Sequence, residues 1–147
     1  MKLLIISPGK QHDSMVADAI KEYQKRLSVR LPIEWAFPSV GTKEEEGIAT
    51  LKQIKDGDFV LLLDERGRSY SSTDLAKLVD TRLQDGTKRL VCIIGGAFGV
   101  SEEVKKRADA TASLSAMVFP HMLVRLILAE QLYRAVTIID GGKYHHE

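Results

Sequence analysis

Arg89-Leu90-Val91-Cys92-Ile93-Ile94-Gly95-Gly96-Ala97-Phe98-Gly99 is the stretch that decides the fold. A continuous apolar run of this length, ended by glycines, reads as a strand buried on both faces. Ser101 then caps a short helix whose first turn holds Glu102 and Glu103, where the helix dipole favours acidic side chains. A buried strand running into a helix is the unit of a parallel sheet, and the same unit recurs outward in both directions.

Toward the N-terminus, Phe59 to Asp64 is a second apolar run that ends in charge. Ser71-Ser72-Thr73-Asp74 then starts a helix through Leu75, Leu78, Val79 and Leu83, closed by Asp85-Gly86. Earlier still, Lys2 to Ser7 is a strand ended by Pro8-Gly9. Asp13 or Ser14 caps a helix carrying Val16, Ala17, Ile20, Tyr23 and Leu27. Ile33 to Phe37 is a short strand, with Trp35 read as core packing. Ile48, Leu51 and Ile54 mark a helix that ends before Asp56-Gly57. Toward the C-terminus, Thr111 to Ser115 is a weaker strand, and a long apolar helix begins at His121. The pattern predicts one α/β domain over residues 1–147, a mostly parallel sheet covered by helices on both faces.

Composition narrows the class. With 147 residues the chain can bury a sizeable core. The 21 Lys and Arg against 20 Asp and Glu argue against binding free nucleic acid through a broad basic surface. A single cysteine, Cys92, permits no intrachain disulfide, which fits a reducing cytoplasm. The apolar start is too short to span a membrane, so a soluble cytoplasmic protein is expected.

Ligands of such sheets bind beyond the carboxyl ends of the strands. Three loops stand there: Leu63 to Arg68, Gly95 to Gly99, and Ser115 to Pro120. The glycine loop has G-G-x-x-G spacing and comes late in the chain, unlike a dinucleotide fingerprint. Pro8-Gly9-Lys10-Gln11 lacks the upstream glycine and the hydroxyl of a phosphate loop. His12, His121, His145 and His146 have no Cys or acidic partner at ligand spacing, so no metal site is expected. Neither Ser101 nor Ser115 lies in a G-x-S-x-G elbow.

The last helix places His121 and Arg125 on one face as an i, i+4 pair. Glu130 and Arg134 form another pair on roughly the opposite face. Leu123, Leu126, Ile127, Leu128, Leu132, Tyr133 and Val136 make it apolar nearly all the way round. Such a helix is either central to the monomer or half-buried against a second copy.

Several of these pieces, taken in order, resemble one family. They are Ile94-Gly95-Gly96-x-x-Gly99, Leu114-Ser115, Phe119-Pro120-His121, Leu123-Val124-Arg125, Glu130-Gln131-Leu132-Tyr133-Arg134-Ala135 and terminal Tyr144-His145. Gly9-Lys10 and Glu22-Tyr23-x-Lys25-Arg26-Leu27 fit as well. Together they resemble the H-type large-subunit ribosomal RNA methyltransferases of the SPOUT, or α/β-knot, superfamily. The resemblance implies a C-terminal trefoil knot and a homodimer. It also implies S-adenosyl-L-methionine-dependent methylation of N3 of a pseudouridine in 23S rRNA on the assembled ribosome. A tRNA-base or ribose 2′-O methyltransferase of the same superfamily, or a non-catalytic nucleotide-binding module, are the alternatives.

Carried over residue by residue, the cofactor would lie against Leu63, Gly95, Gly96 and the Ser115-Ala116-Met117-Val118-Phe119-Pro120 loop. His121, Arg125, Tyr144 and His145 would face the RNA base, with the tail of one subunit completing the site of the other. His121 or His145 would take up the N3 proton, and Arg125 would stabilise the developing anion. The family commonly follows Tyr-His with Arg or Lys; His146 stands there in this chain, a weaker phosphate partner.

Overall fold

A computed structural model describes residues 1–146; Glu147, the end of the tail, lies outside the described residues. Strand β1 (Lys2–Ile6) leads to α1 (Ser14–Leu27), β2 (Ile33–Ala36) to α2 (Lys43–Lys52) and β3 (Phe59–Ser69) to α3 (Ser72–Gln84). Then β4 (Arg89–Ile94) leads to α4 (Glu102–Arg107), and β5 (Ala110–Ser113) to α5 (His121–Ile139). The strands form one five-stranded sheet in the order β2-β1-β4-β3-β5. Every pairing in it is parallel.

Alternation along each strand builds two cores at once. Leu3, Ile5, Leu61, Leu90, Cys92 and Ile94 point to one face, where they pack with α1, α3 and α5. Leu4, Ile6, Val60, Leu62, Val91 and Ile93 point to the other and meet Val104 of α4, with Leu51 and Ile54. This is why the strands read as unbroken apolar runs. The β1–β2 and β3–β4 crossovers step toward the β2 edge through the first face. The β2–β3 and β4–β5 crossovers step back through the second. One constant handedness of crossover demands that alternation.

Most element boundaries fall within two residues of expectation, but two regions depart from it. Helix α2 starts earlier than the Ile48 pattern implied, because Thr42 forms a capping box. Its Oγ1 accepts from the Glu45 N–H at 3.1 Å while Glu45 Oε1 accepts from the Thr42 N–H at 3.2 Å. Ile48 is 59% exposed, and Ile54 lies past the helix end. The inward face is Glu46, Gly47 and Thr50 instead, since α2 approaches α4 closely. A Cβ on Gly47 would overlap the Ser101 Oγ and lie 2.9 Å from its Cβ.

Strand β3 continues past Asp64 to Ser69. Its ladder with β5 is interrupted there, for Leu63 and Arg68 both register with Ala112. Residues Asp64 to Gly67 are therefore looped out of the ladder, and the expected ligand loop survives as a bulge inside a longer strand. Gly67 permits this, as a Cβ there would come within 2.6 Å of Thr111 Cγ2 and 3.1 Å of its main chain. Strand β5 ends at Ser113 rather than Ser115. Ser115 instead turns the chain, its Oγ accepting from the Met117 N–H at 3.0 Å.

Candidate functional site

The loops leaving β3, β4 and β5 converge on a cleft of about 560 Å³, within the range of small-molecule and cofactor pockets. Leu63, Gly95, Gly96, Ser115, Met117, Val118, Phe119 and Pro120 line it, eight of the nine residues expected at the cofactor; Ala116 does not. His121, expected to face the base, lines the same cleft. Asp64, Glu65 and Arg66 also line it, as do Ile94, Leu114 and Val124 from the motifs that carry the resemblance. Asp64, Glu65 and Arg66 had been legible as a loop in the right place, but nothing in their spacing marked them out.

Each wall has a local cause. The β4 loop is a tight turn in which the Gly99 N–H donates to the Gly96 carbonyl at 3.0 Å, with Gly99 at φ +83°. Left-handed backbone of this kind favours glycine. Gly96 has a different reason: a Cβ there would overlap Glu46 Oε1 and sit 3.2 Å from Cδ. Glu46 is buried and its Oε2 accepts from the Gly41 N–H at 3.1 Å, so it backs the loop firmly. Pro120 sits at the start of α5 without a side-chain cap. The N–H groups of that first turn contribute positive potential beside the cleft.

Acidic charge balances it at the other side. Asp64 Oδ1 accepts from the Arg66 N–H at 2.9 Å and pairs with Arg66 Nε at 3.4 Å. Burial alone would raise the Asp64 carboxyl, but the hydrogen bonds from Arg66 outweigh it and hold the group below the usual carboxylate range. The cleft thus offers apolar walls, glycine main chain and a fixed carboxylate paired with Arg66. That set of groups suits an adenine ring joined to a sulfonium and an amino acid.

The other residues expected at the base are placed elsewhere. Arg125 has no exposed surface, and its guanidinium is committed to the β1–α1 loop. Tyr144 and His145 fold back onto the far end of α5. The Tyr144 hydroxyl donates to Glu130 Oε1 at 3.1 Å, its ring meets the Tyr133 ring edge-on at 4.8 Å, and His145 Nδ1 lies 3.2 Å from Arg134 Nη1. Arg134 follows His121 by 13 residues, about 20 Å along a helix at ~1.5 Å per residue. Within one chain, His121 and the tail do not meet.

Glu130 and Arg134 form the expected ion pair, Nε to Oε1 at 3.0 Å. It doubles as the seat of the tail. Tyr144 is held above the usual phenol range by its hydrogen bond with Tyr23, by burial and by Glu130, so at neutral pH it is a hydrogen-bond donor and not a base. Helix α5 buries Leu128, Ala129, Leu132, Ala135 and Val136, while Leu123 is 39% exposed and Leu126, Ile127 and Tyr133 are half-buried. Trp35 is half-buried too, and its Nε1 donates to Gln24 Oε1 at 3.1 Å. Among the described residues no helix is long and apolar enough to cross a membrane.

Comparison with known proteins identifies the family. A family model described as "predicted SPOUT methyltransferase" matches residues 1–145. Proteins named ribosomal RNA large subunit methyltransferase H are similar over their whole length. The one from Parabacteroides distasonis is 38% identical, covering 100% of both chains. Those from Christiangramia forsetii and Alkaliphilus oremlandii are 39% and 40% identical, each covering 99% of both chains.

Proposed function

The chain belongs to the SPOUT methyltransferase family, alongside the ribosomal RNA large subunit methyltransferase H proteins, and from that premise we propose its reaction. It transfers a methyl group from S-adenosyl-L-methionine to N3 of a pseudouridine in large-subunit ribosomal RNA, on assembled ribosomes and as a homodimer. All 147 residues act as one methyltransferase domain. The observation that carries this reading is the single cleft that gathers eight expected cofactor residues and His121.

Bound in that cleft, the cofactor would supply an electrophilic methyl group. The chain's own residues do the rest. Leu63, Val118 and Phe119 would hold the adenosine part. The glycine turn lets the main chain approach closely, and Asp64 complements positive charge. In-line transfer depends on positioning, which these walls would supply. His121, which lines the cleft, would accept or relay the proton leaving N3.

The separation of His121 from the tail supports a composite site. In a dimer, Tyr144 and His145 of one subunit would face His121 of the other. A knotted C-terminus fits the path of the chain. After edge strand β5, the start of α5 lies at the carboxyl end of β1, two strands beyond β3, where Arg125 is bonded to Ser7. Modest net charge fits recognition by ribosome shape and dimer geometry rather than by a general affinity for RNA.

The test is mass spectrometry of ribosomal nucleosides after incubating unmodified ribosomes with the protein and labelled cofactor. Label on an N3-methylated pseudouridine of the large subunit is expected. Label on tRNA or on a ribose instead would overturn the assignment.

A further inference from the structure

Arg125 is the largest side chain in the protein with no exposed surface. Among the described residues no other charged side chain is so fully enclosed; Glu46 retains 8% exposure. Its Nε donates to Ser7 Oγ at 2.8 Å and its Nη1 to the Lys10 carbonyl at 2.9 Å. Nη2 reaches the carbonyls of Ser7 and Pro8, each at 3.4 Å. The guanidinium also lies over the Phe37 ring, 4.7 Å from its centroid, and Nη1 is 3.5 Å from His12 Nδ1. Among the described residues no carboxylate forms an ion pair with it.

Burying a cation with no ion-paired carboxylate, and only the more distant charge of Asp13 to favour it, is an expensive way to pin a loop, and an apolar side chain would fill the space more cheaply. What arginine adds is a rigid planar fork that fixes several oxygens at once. Those oxygens belong to one segment, Ser7 to Lys10, the loop leaving β1. In its middle Gly9 has φ +114°, and its N–H donates to the Pro38 carbonyl at 2.8 Å. A Cβ on Gly9 would stand 3.7 Å from His121 Nε2 and 3.9 Å from Arg125 Nη2. His121 lies one helical turn before Arg125 on the same face. The loop is therefore held by the arginine fork on its carbonyls, with the imidazole facing Gly9 across the space a Cβ would fill. His12 joins the clasp as a neutral acceptor, since burial and the Arg125 charge both lower its pKa.

We propose that Arg125 is a positioning residue for methyl transfer, which sets the imidazole of His121 at the cleft by holding the Ser7–Lys10 loop against it. The proposal rests on the reading of His121 as a substrate-facing group. Arg125 thus acts one step away from the RNA base, through the loop, and never touches it.

The test compares Arg125→Lys, Arg125→Met and the milder Ser7→Ala, which removes one acceptor from the fork. For each, four quantities are measured: kcat and KM on ribosomes, S-adenosylmethionine affinity by calorimetry, thermal stability, and the ring ¹H–¹⁵N resonances of His121. Misplacement of a reacting group is expected to lower kcat roughly 10- to 100-fold in Arg125→Lys and less in Ser7→Ala. Cofactor affinity should stay within about twofold, and the His121 ring signals should move in both. Arg125→Met should be worse than Arg125→Lys. Unmoved His121 signals in folded Ser7→Ala and Arg125→Lys overturn the proposal. So does a kcat loss that only follows the folded fraction or is matched by lost cofactor affinity. If Arg125→Lys does not fold, Ser7→Ala decides alone. Wild-type protein inactive on ribosomes would refute the proposed reaction instead, and the His121 signals would still judge the clasp.

Discussion

Gly96→Ala pits two effects of opposite sign against each other, and the structure says which wins. Gly96 does not occupy the left-handed region, so alanine there should stabilise by about 0.4–1 kcal/mol through a less flexible unfolded chain. Against this, the new Cβ would overlap Glu46 Oε1 and lie 3.2 Å and 3.4 Å from its Cδ and Oε2. Glu46 is only 8% exposed and is held by the Gly41 N–H, so it cannot swing aside freely. Overpacking of this kind costs ~1–3 kcal/mol. The net expectation is a loss of about 1–2 kcal/mol, or roughly 2–8 °C in Tm for a chain of this size. Because the strain falls on the cofactor loop, affinity for S-adenosylmethionine should drop about tenfold for each ~1.4 kcal/mol the loop must spend. The decisive assay is a double-mutant cycle by urea denaturation with Glu46→Ala. Once the carboxylate is gone, alanine at position 96 should become neutral or stabilising. An equal penalty for Gly96→Ala in both backgrounds would refute the argument that Glu46 shapes this loop.

Other outcomes follow from single features. Arg89 clamps Asp58, its Nε donating to Oδ1 at 3.0 Å, with the carboxylate nearly buried. Burial alone would raise the Asp58 pKa, but hydrogen bonds from Arg89 and the Lys55 N–H hold it below the usual range. Asp58 therefore stabilises the fold above its unfolded pKa of about 3.9, and that contribution is lost as pH falls through the lower folded value. Asp58→Asn should cost roughly 3 kcal/mol at pH 7 and flatten the acid limb of the stability profile, measured by denaturation from pH 7 downward. Tyr144→Phe, which removes the hydroxyl from Glu130, should lower stability by only about 1 kcal/mol while cutting methyl transfer far more; equal small effects on both would argue against a functional tail. His145→Ala should reduce turnover on ribosomes, and full turnover would remove His145 from the proton path. Burial pushes the Cys92 thiol up to about 12, so in the native protein a thiol reagent should modify it no faster than global unfolding.

Sheet and site were legible to different degrees. Arg89 to Ile94 and Phe59 to Asp64 announced themselves because both faces of those strands are covered, so no polar residue interrupts the run. Helix α2 was harder to place, because its buried face holds a glycine, a glutamate and a threonine. Close contact with α4 selected small and hydrogen-bonded residues there, and apolar periodicity cannot report that. The cofactor residues could be named from the family resemblance, yet the supporting role of Glu46 could not, since it comes from a helix 50 residues away in sequence. Arg125 shows the same limit more sharply. On a helical wheel it pairs with His121, but whether its guanidinium faces the cleft or the loop behind it depends on where β1 ends.

That tie between the first loop and the last helix also governs when activity can begin. Strand β1 leaves the ribosome well before its sheet partner β4, which starts 87 residues after β1 does, and before the helix that clasps its loop. During synthesis the opening strand must wait, apolar and half-paired, for a neighbour not yet translated. The wall of the cleft from Ser115 to His121 and the Arg125 fork would still be passing through the exit tunnel when the rest of the sheet is complete. A premature stop anywhere before α5 therefore yields a chain with no closed cofactor site and an unsecured first loop. A protein proposed to modify ribosomes would become competent only after α5 has followed the sheet out of one.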